Sequence, residues 1–294
     1  MQPFAGAFSF MRRPCGRDLA GVDIAVLGVP YDLGTTNRPG ARLGPRAIRE
    51  QSLLVDYPWG VWPWDFNPFD RHAVLDCGDV AFEVGDVGRM VAAVEEEAGR
   101  IVAAGVALLA LGGDHFVSLP LLRAHARHHG PLSLVHFDAH SDTWVDDGFN
   151  HGSMFYHAVR EGLVDPARSV QVGIRTPNPH THGFAILHAD RVVRDGPDRT
   201  AAEIRRRVGD HAVYLTFDID FLDPAYAPGT GTPVVGGPTT AEARAILAGL
   251  AGTRVVGGDQ VEVSPPYDPS GQITALAGAT LAADILYLIS IARG

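Results

Sequence analysis

The chain has 294 residues, 46% of them apolar and 20% charged, which supplies a substantial core and argues against disorder. Its 24 basic residues against 34 acidic ones leave a net charge of −10, which argues against nucleic acid as a partner and suits a small cationic molecule. All the basic residues are Arg and there are only two cysteines, Cys15 and Cys77, so Schiff-base, P-loop-lysine, disulfide-framework and multi-thiolate zinc chemistries are excluded, and a reducing cytoplasmic setting is expected.

The start, Met1-Gln2-Pro3-Phe4, lacks the basic region of a leader, and no targeting segment is expected. Residues 1–20 read as an N-terminal extension, a candidate oligomer contact. From there, short apolar runs alternate with helix-like segments. The runs Asp23–Val29, Ala73–Asp76, Val106–Leu111, Leu132–Phe137, Ser169–Ile174, Ala185–His188, Ala212–Phe217 and Arg254–Glu262 read as strands. Several are continuously apolar, as strands buried on both faces must be. Helices are predicted over Pro45–Leu54, Asp86–Ala104, Leu119–His129, Thr200–Val208, Thr239–Leu250 and Ile273–Ala292. The Trp/Pro-rich stretch Tyr57–Asp70 reads as an ordered loop. Residues 273–292 are long enough to span a membrane, but Asp284 interrupts them, so a buried core helix is expected and no membrane partner. The rhythm predicts an α/β fold: one domain over 1–294, with a mostly parallel sheet and helices on both faces.

Ligands of such sheets bind beyond the carboxyl ends of the strands. Three predicted strand ends deliver acids and imidazoles there: Gly112-Gly113-Asp114-His115, Asp138-Ala139-His140-Ser141-Asp142, and Asp218-Ile219-Asp220-Phe221-Leu222-Asp223-Pro224. In extended backbone, residues i, i+2 and i+4 share a face, so Asp138, His140 and Asp142 should project together, as should Asp218 and Asp220. With His115 this makes two imidazoles and four carboxylates in one small volume. Four carboxylates that close repel or take up protons unless cations neutralise them. Six ligands with bridging carboxylates suffice for two divalent ions. The oxygen-rich set favours Mn²⁺, with Zn²⁺, Co²⁺ and Fe²⁺ left open. A lone Asp-x-His-x-Asp is a weak signal, and His136, His125, His128 and His129 illustrate how common non-ligand histidines are here; three clusters at three strand ends are hard to produce by accident.

These motifs resemble those of the ureohydrolase (arginase/agmatinase) family. The resemblance extends through Gly28-Val29-Pro30-Tyr31-Asp32, Arg38–Pro45, Asn150-His151-Gly152-Ser153-Met154-Phe155, Ala227–Pro233 and Val261-Glu262-Val263-Ser264-Pro265. Within the family the chain is most similar to bacterial agmatinases. The resemblance implies an arginase-like three-layer α/β/α fold with an eight-stranded sheet, two Mn²⁺ per subunit, and a homo-oligomer, trimer or hexamer. It assigns His115, Asp138, Asp142 and Asp218 to one manganese and His140, Asp138, Asp218 and Asp220 to the other. Asp138 and Asp218 would bridge. His151 matches the family's proton-handling histidine and Glu262 the carboxylate that holds the guanidinium, so catalysis is expected from His151, Asp142 and Glu262. Phe221, where many relatives carry Cys, is one small departure; it lies between ligands and should not remove metal binding.

The implied reaction is agmatine plus water to putrescine and urea, by attack of a shared hydroxide on the guanidinium carbon, feeding polyamine synthesis. The rivals are a guanidino acid such as guanidinobutyrate, or arginine, as substrate; a catalytically silent metal-stabilised subunit; and a binuclear phosphoesterase, which would bring further His/Asn motifs. Asp146 and Asp147 are candidate company for a distant substrate ammonium. Cys77 reads as a buried small hydrophobe. Asp114 and Asp223 read as supporting or turn residues. Gly229-Thr230-Gly231-Thr232-Pro233 does not open a helix after a strand, so a dinucleotide fingerprint is rejected.

Overall fold

Residues along each central strand point alternately into two separate cores. Ile24, Val26, Leu109, Leu111, Leu215 and Phe217 enter one, while Ala25, Leu27, Leu108, Ala110 and Tyr214 enter the other. This is why the strand sequences are continuously apolar. The computed structural model describes residue 5 and residues 8–294. The strands are β1 (Ile24–Val29), β2 (Val74–Asp79), β3 (Ala107–Gly112), β4 (Ser133–Phe137), β5 (Val170–Ile174), β6 (Ala185–His188), β7 (Val213–Asp218) and β8 (Val255–Val261). They form one eight-stranded sheet in the order β2-β1-β3-β8-β7-β4-β5-β6, every pairing parallel. The helices are α1 (Gly44–Ser52), α2 (Val87–Ala103), α3 (Ser118–His129), α4 (Met154–Arg160), α5 (Ala189–Val208), α6 (Thr240–Gly249) and α7 (Ile273–Arg293). α1, α5, α6 and α7 contribute to the first core and α2, α3 and α4 to the second, giving three α/β/α layers.

Every predicted strand is present. β2 runs on to Asp79 because Gly28 of β1 pairs with it across a register shift. Two helices depart from the sequence reading. α4 was not anticipated, and α5 begins at Ala189 instead of Thr200, bending at Gly196, whose φ is 76°. Pro197 and Gly196 read locally as a break, yet the first half of α5 still buries Ala189 and Val192.

α7 is the one helix among the described residues long and apolar enough to cross a membrane, and most of it is buried inside the fold. Asp284, on its buried face, accepts from Arg244 Nε at 2.8 Å and from Trp64 Nε1 at 2.7 Å. Loss of either partner of such a buried pair costs about 3–5 kcal/mol. The Trp64 indole also stacks on Tyr287, with centroids 5.2 Å apart, so α7 orders the Tyr57–Asp70 stretch. Of the expected N-terminal extension, residues 1–4, 6 and 7 lie outside the described residues. Phe10 and Met11 sit in the first core, their amides held by Asp76 and Ser52.

Candidate metal centre and substrate cavity

The four central strands β3, β8, β7 and β4 end side by side, and their carboxyl ends carry His115, Glu262, Asp218 and Asp138. Close approach of the β3 end to the turn after β1 requires glycine at 113, since a Cβ there would fall 1.7 Å from the Tyr31 carbonyl oxygen. His115 follows in a short 3-10 turn capped by the Asp114 side chain.

His115 Nδ1 lies 3.0 Å from Asp138 Oδ2, 3.0 Å from Asp142 Oδ2 and 3.2 Å from Asp218 Oδ2. It makes no hydrogen bond of sound geometry although it is fully buried. Its other nitrogen, Nε2, is 2.8 Å from Thr216 Oγ1, which donates to Asp259 Oδ1 at 2.6 Å. With the Thr216 proton committed to Asp259, Nε2–H is the donor and Nδ1 keeps its lone pair among three carboxylates. That is the arrangement of an imidazole oriented for a metal. His140 Nδ1 lies 3.3 Å from Asp138 Oδ1 and 3.1 Å from Asp220 Oδ2. Asp138 therefore presents one oxygen to each imidazole. Donor atoms of His115, His136, Asp138 and Asp142 fall within 4.8 Å of one another, as do those of Asp138, His140 and Asp220.

The proton affinities express how strongly this pocket calls for positive charge. Burial, then repulsion from Asp220 and Asp138, raises Asp218 well above the carboxylate range. Burial opposes charge on His140, yet Asp220 and Asp138 push it up to about 12. Burial would also raise Asp138, but His136 and His115 hold it well below its ordinary value.

The side chains converge by a different route from extended alternation. Beyond Phe137 the chain bends, and Asp142 adopts a left-handed φ of 52°. Asp218 caps a 3-10 turn over Ile219–Phe221, accepting from Asp220 N at 2.8 Å. A period of two holds only while the backbone is extended, so it groups these residues for the wrong reason.

Glu262 follows β8 with φ 62°, a conformation costly for a non-glycine residue and concentrated at functional sites. Its amide donates to the Gly113 carbonyl at 2.9 Å. Its Oε1 accepts from the His115 amide at 2.9 Å and pairs with His151 Nδ1 at 2.8 Å. Its Oε2 is buried without a partner. Gly231 lies against that oxygen; a Cβ there would be 3.3 Å away.

A cavity of about 410 Å³ opens beside these groups, lined by Thr36, His140, Asp142, Trp144, Asp146, Asn150, His151, Gly152, Asp218 and Thr232. Three carboxylates and no Arg face it. The family model for the arginase family matches residues 22–287. The chain belongs to the arginase family. It is 52% identical over 97% of its length to an agmatinase of Chromobacterium violaceum, covering 89% of that protein. It is 50% identical over 97% of its length to an agmatinase of Photorhabdus laumondii, covering 93% of it. A crystal structure of a hypothetical agmatinase from Burkholderia thailandensis superposes with a TM-score of 0.96 at 51% identity, covering 98% of this chain and 92% of that one. Proclavaminate amidino hydrolase from Streptomyces clavuligerus superposes with a TM-score of 0.93 at 39% identity, covering 99% and 100%.

In this arginase-family chain all eight residues singled out from the sequence, His115, Asp138, His140, Asp142, His151, Asp218, Asp220 and Glu262, meet in one region. His136, left out of the ligand set, joins them: its Nε2 is 2.7 Å from Asp138 Oδ2 and its Nδ1 is 3.0 Å from Gln171 Nε2. Thr216, Asp259 and Gln171 were missed as well. The available signal was polarity inside strands buried on both faces, where each polar side chain needs a partner. Asp146 lines the cavity, whereas Asp147 is fully exposed and lies 3.7 Å from Arg160. Asp114 accepts from the Gly34 amide at 2.7 Å, and Asp223 from the amides of Ala225, Gly236 and Gly237. Cys77 is buried and burial pushes its thiol up, as befits an inert core residue.

Proposed function

We propose that the protein is a binuclear manganese amidinohydrolase that converts agmatine and water to putrescine and urea, a step in polyamine synthesis. As an arginase-family member whose curated relatives are agmatinases, it is a hydrolase acting on the C–N bond of a linear amidine. The observation that carries the finer reading is the Glu262 carboxylate, buried with one oxygen engaged and the other unpartnered. A substrate guanidinium, cationic at neutral pH with an Arg-like pKa of about 12.5–13.8, is the planar donor that satisfies such an oxygen.

The residues that would hold two Mn²⁺ are His115, Asp138, Asp142 and Asp218 for one, and His140, Asp138, Asp218 and Asp220 for the other. Two imidazoles, four carboxylates and no thiolate suit that ion, and the free lone pair of His115 Nδ1 supports the fit. Bound divalent ions supply the lowered water pKa, from 15.7 to about 7, that hydrolysis of so poor an electrophile needs. Glu262 holds the guanidinium through its unpartnered Oε2. His151, its Nδ1–H on Glu262, carries the proton that the leaving amine must collect.

The tail-binding end favours agmatine. Asp146 and the Trp144 ring line the cavity and suit an ammonium, while no Arg there meets a carboxylate. Hydrolysis of a guanidino acid is the second reading, favoured by the structural likeness to proclavaminate amidino hydrolase. A cytoplasmic homo-oligomer, trimer or hexamer, belongs to the same reading, and light scattering measures it. Urea release from agmatine, guanidinobutyrate and arginine, with Mn²⁺ added, tests the function. Agmatine should lead in kcat/KM; no urea from any of the three refutes the proposal.

A further inference from the structure

His151 is gripped from both ring nitrogens. Nδ1 sits 2.8 Å from Glu262 Oε1, and Nε2 receives two groups of one residue, the Thr36 amide at 3.0 Å and Thr36 Oγ1 at 2.7 Å. The Thr36 loop is not free to drift. Gly34, two residues earlier, accepts from the His151 amide at 3.1 Å and donates its own to Asp114 at 2.7 Å. Asn37, one residue later, donates to the Gly231 carbonyl at 2.9 Å. Thr36 itself lines the cavity together with His140, Asp142 and Asp218.

We infer that the Thr36 hydroxyl is the proton relay between His151 and the leaving amine of the substrate, an inference that rests on the amidinohydrolase reading. When the ring is charged, its Nε2 proton meets one donor, the Thr36 amide, and one acceptor, Thr36 Oγ1. The hydroxyl is therefore the exit. The proton moves from Nε2 to Oγ1 as the hydroxyl's own proton moves to the departing nitrogen, which takes the electron pair of the breaking C–N bond. The neutral Nε2 then accepts the Thr36 amide, which stabilises the ring after it has given up its proton. His151 recovers a proton from the next substrate water, so the cycle closes.

The test is a double-mutant cycle on the Mn²⁺-loaded protein with agmatine, using Thr36→Val, Thr36→Ser, His151→Asn and Thr36→Val combined with His151→Asn. General acid catalysis contributes roughly 10²–10⁴-fold, so Thr36→Val should lower kcat at least about tenfold with KM changed less than about twofold. Thr36→Ser should restore most of kcat, and Thr36→Val should cost nothing further once His151 is Asn. Thermal unfolding and metal content should match the parent throughout. Wild-type kcat in Thr36→Val, failure of Thr36→Ser to rescue, or a full additional loss in the double variant overturns the relay alone. Absence of urea release by the unmutated chain overturns the hydrolase reading and the relay with it.

Discussion

Glu262→Gln separates guanidinium binding from the metal ligands. The carbonyl of Gln can keep the Oε1 contacts, accepting from the His115 amide at 2.9 Å and from His151 Nδ1 at 2.8 Å. Its NH₂ must then occupy the place of Oε2, the buried oxygen that now has no partner. The substrate's N–H groups would meet a donor where they need an anion. Removing one member of a desolvated charge pair costs roughly 2–5 kcal/mol, so kcat/KM for agmatine should fall about 30-fold to several thousand-fold. The unfolding midpoint should fall modestly, since Gln keeps an acceptor for both donors but removes the charge that pairs with the buried His151 ring at 2.8 Å. Steady-state urea release, elemental analysis of the purified variant and thermal unfolding read the three quantities. An unchanged kcat/KM would mean that the guanidinium is held elsewhere. Loss of metal would move Glu262 into the ligand set.

Chelation should abolish turnover and lower Tm, because ions bound only by the native state stabilise it by mass action. Mn²⁺ should restore both, and elemental analysis should find two ions per chain; full activity in metal-free protein would contradict this. Asp146→Asn should raise KM for agmatine about 1.4- to fivefold, the worth of an exposed ion pair of roughly 0.2–1 kcal/mol, without raising it for guanidinobutyrate. An equal effect on both substrates would remove Asp146 from tail recognition. Stability should also fall in acid through His125, whose ring burial holds at about 4 against an ordinary 6.5. The unfolded chain takes up the proton first, so the contribution is intact above pH 6.5 and drains between pH 6.5 and 4, in total roughly 3 kcal/mol. His125→Asn, which keeps a donor for the Leu121 carbonyl now 2.7 Å from Nδ1, should flatten that slope in urea titrations; an unaltered slope would show that other groups carry it.

Much of the fold and the cast of the site are local properties of the chain. Continuous apolar runs such as Val106–Leu111 and Ala212–Phe217 can satisfy both faces only in a sheet covered on two sides, and parallel strands necessarily end on one edge. Asp and His directly after three of those runs therefore had to share that edge. The order β3-β8-β7-β4, which makes neighbours of residues as far apart as His115 and Glu262, is a matter of long-range pairing that no local pattern encodes. So are the turns that aim the ligands. Asp142 and Glu262 take left-handed conformations that their own sequence disfavours, held by neighbours such as the Gly113 carbonyl. The Asp259–Thr216–His115 chain and the grip of Thr36 on His151 join residues from separate elements, 43 to 115 positions apart in the chain. A hydrogen bond chooses its tautomer and direction only once both partners are placed, and that placement belongs to the packed sheet.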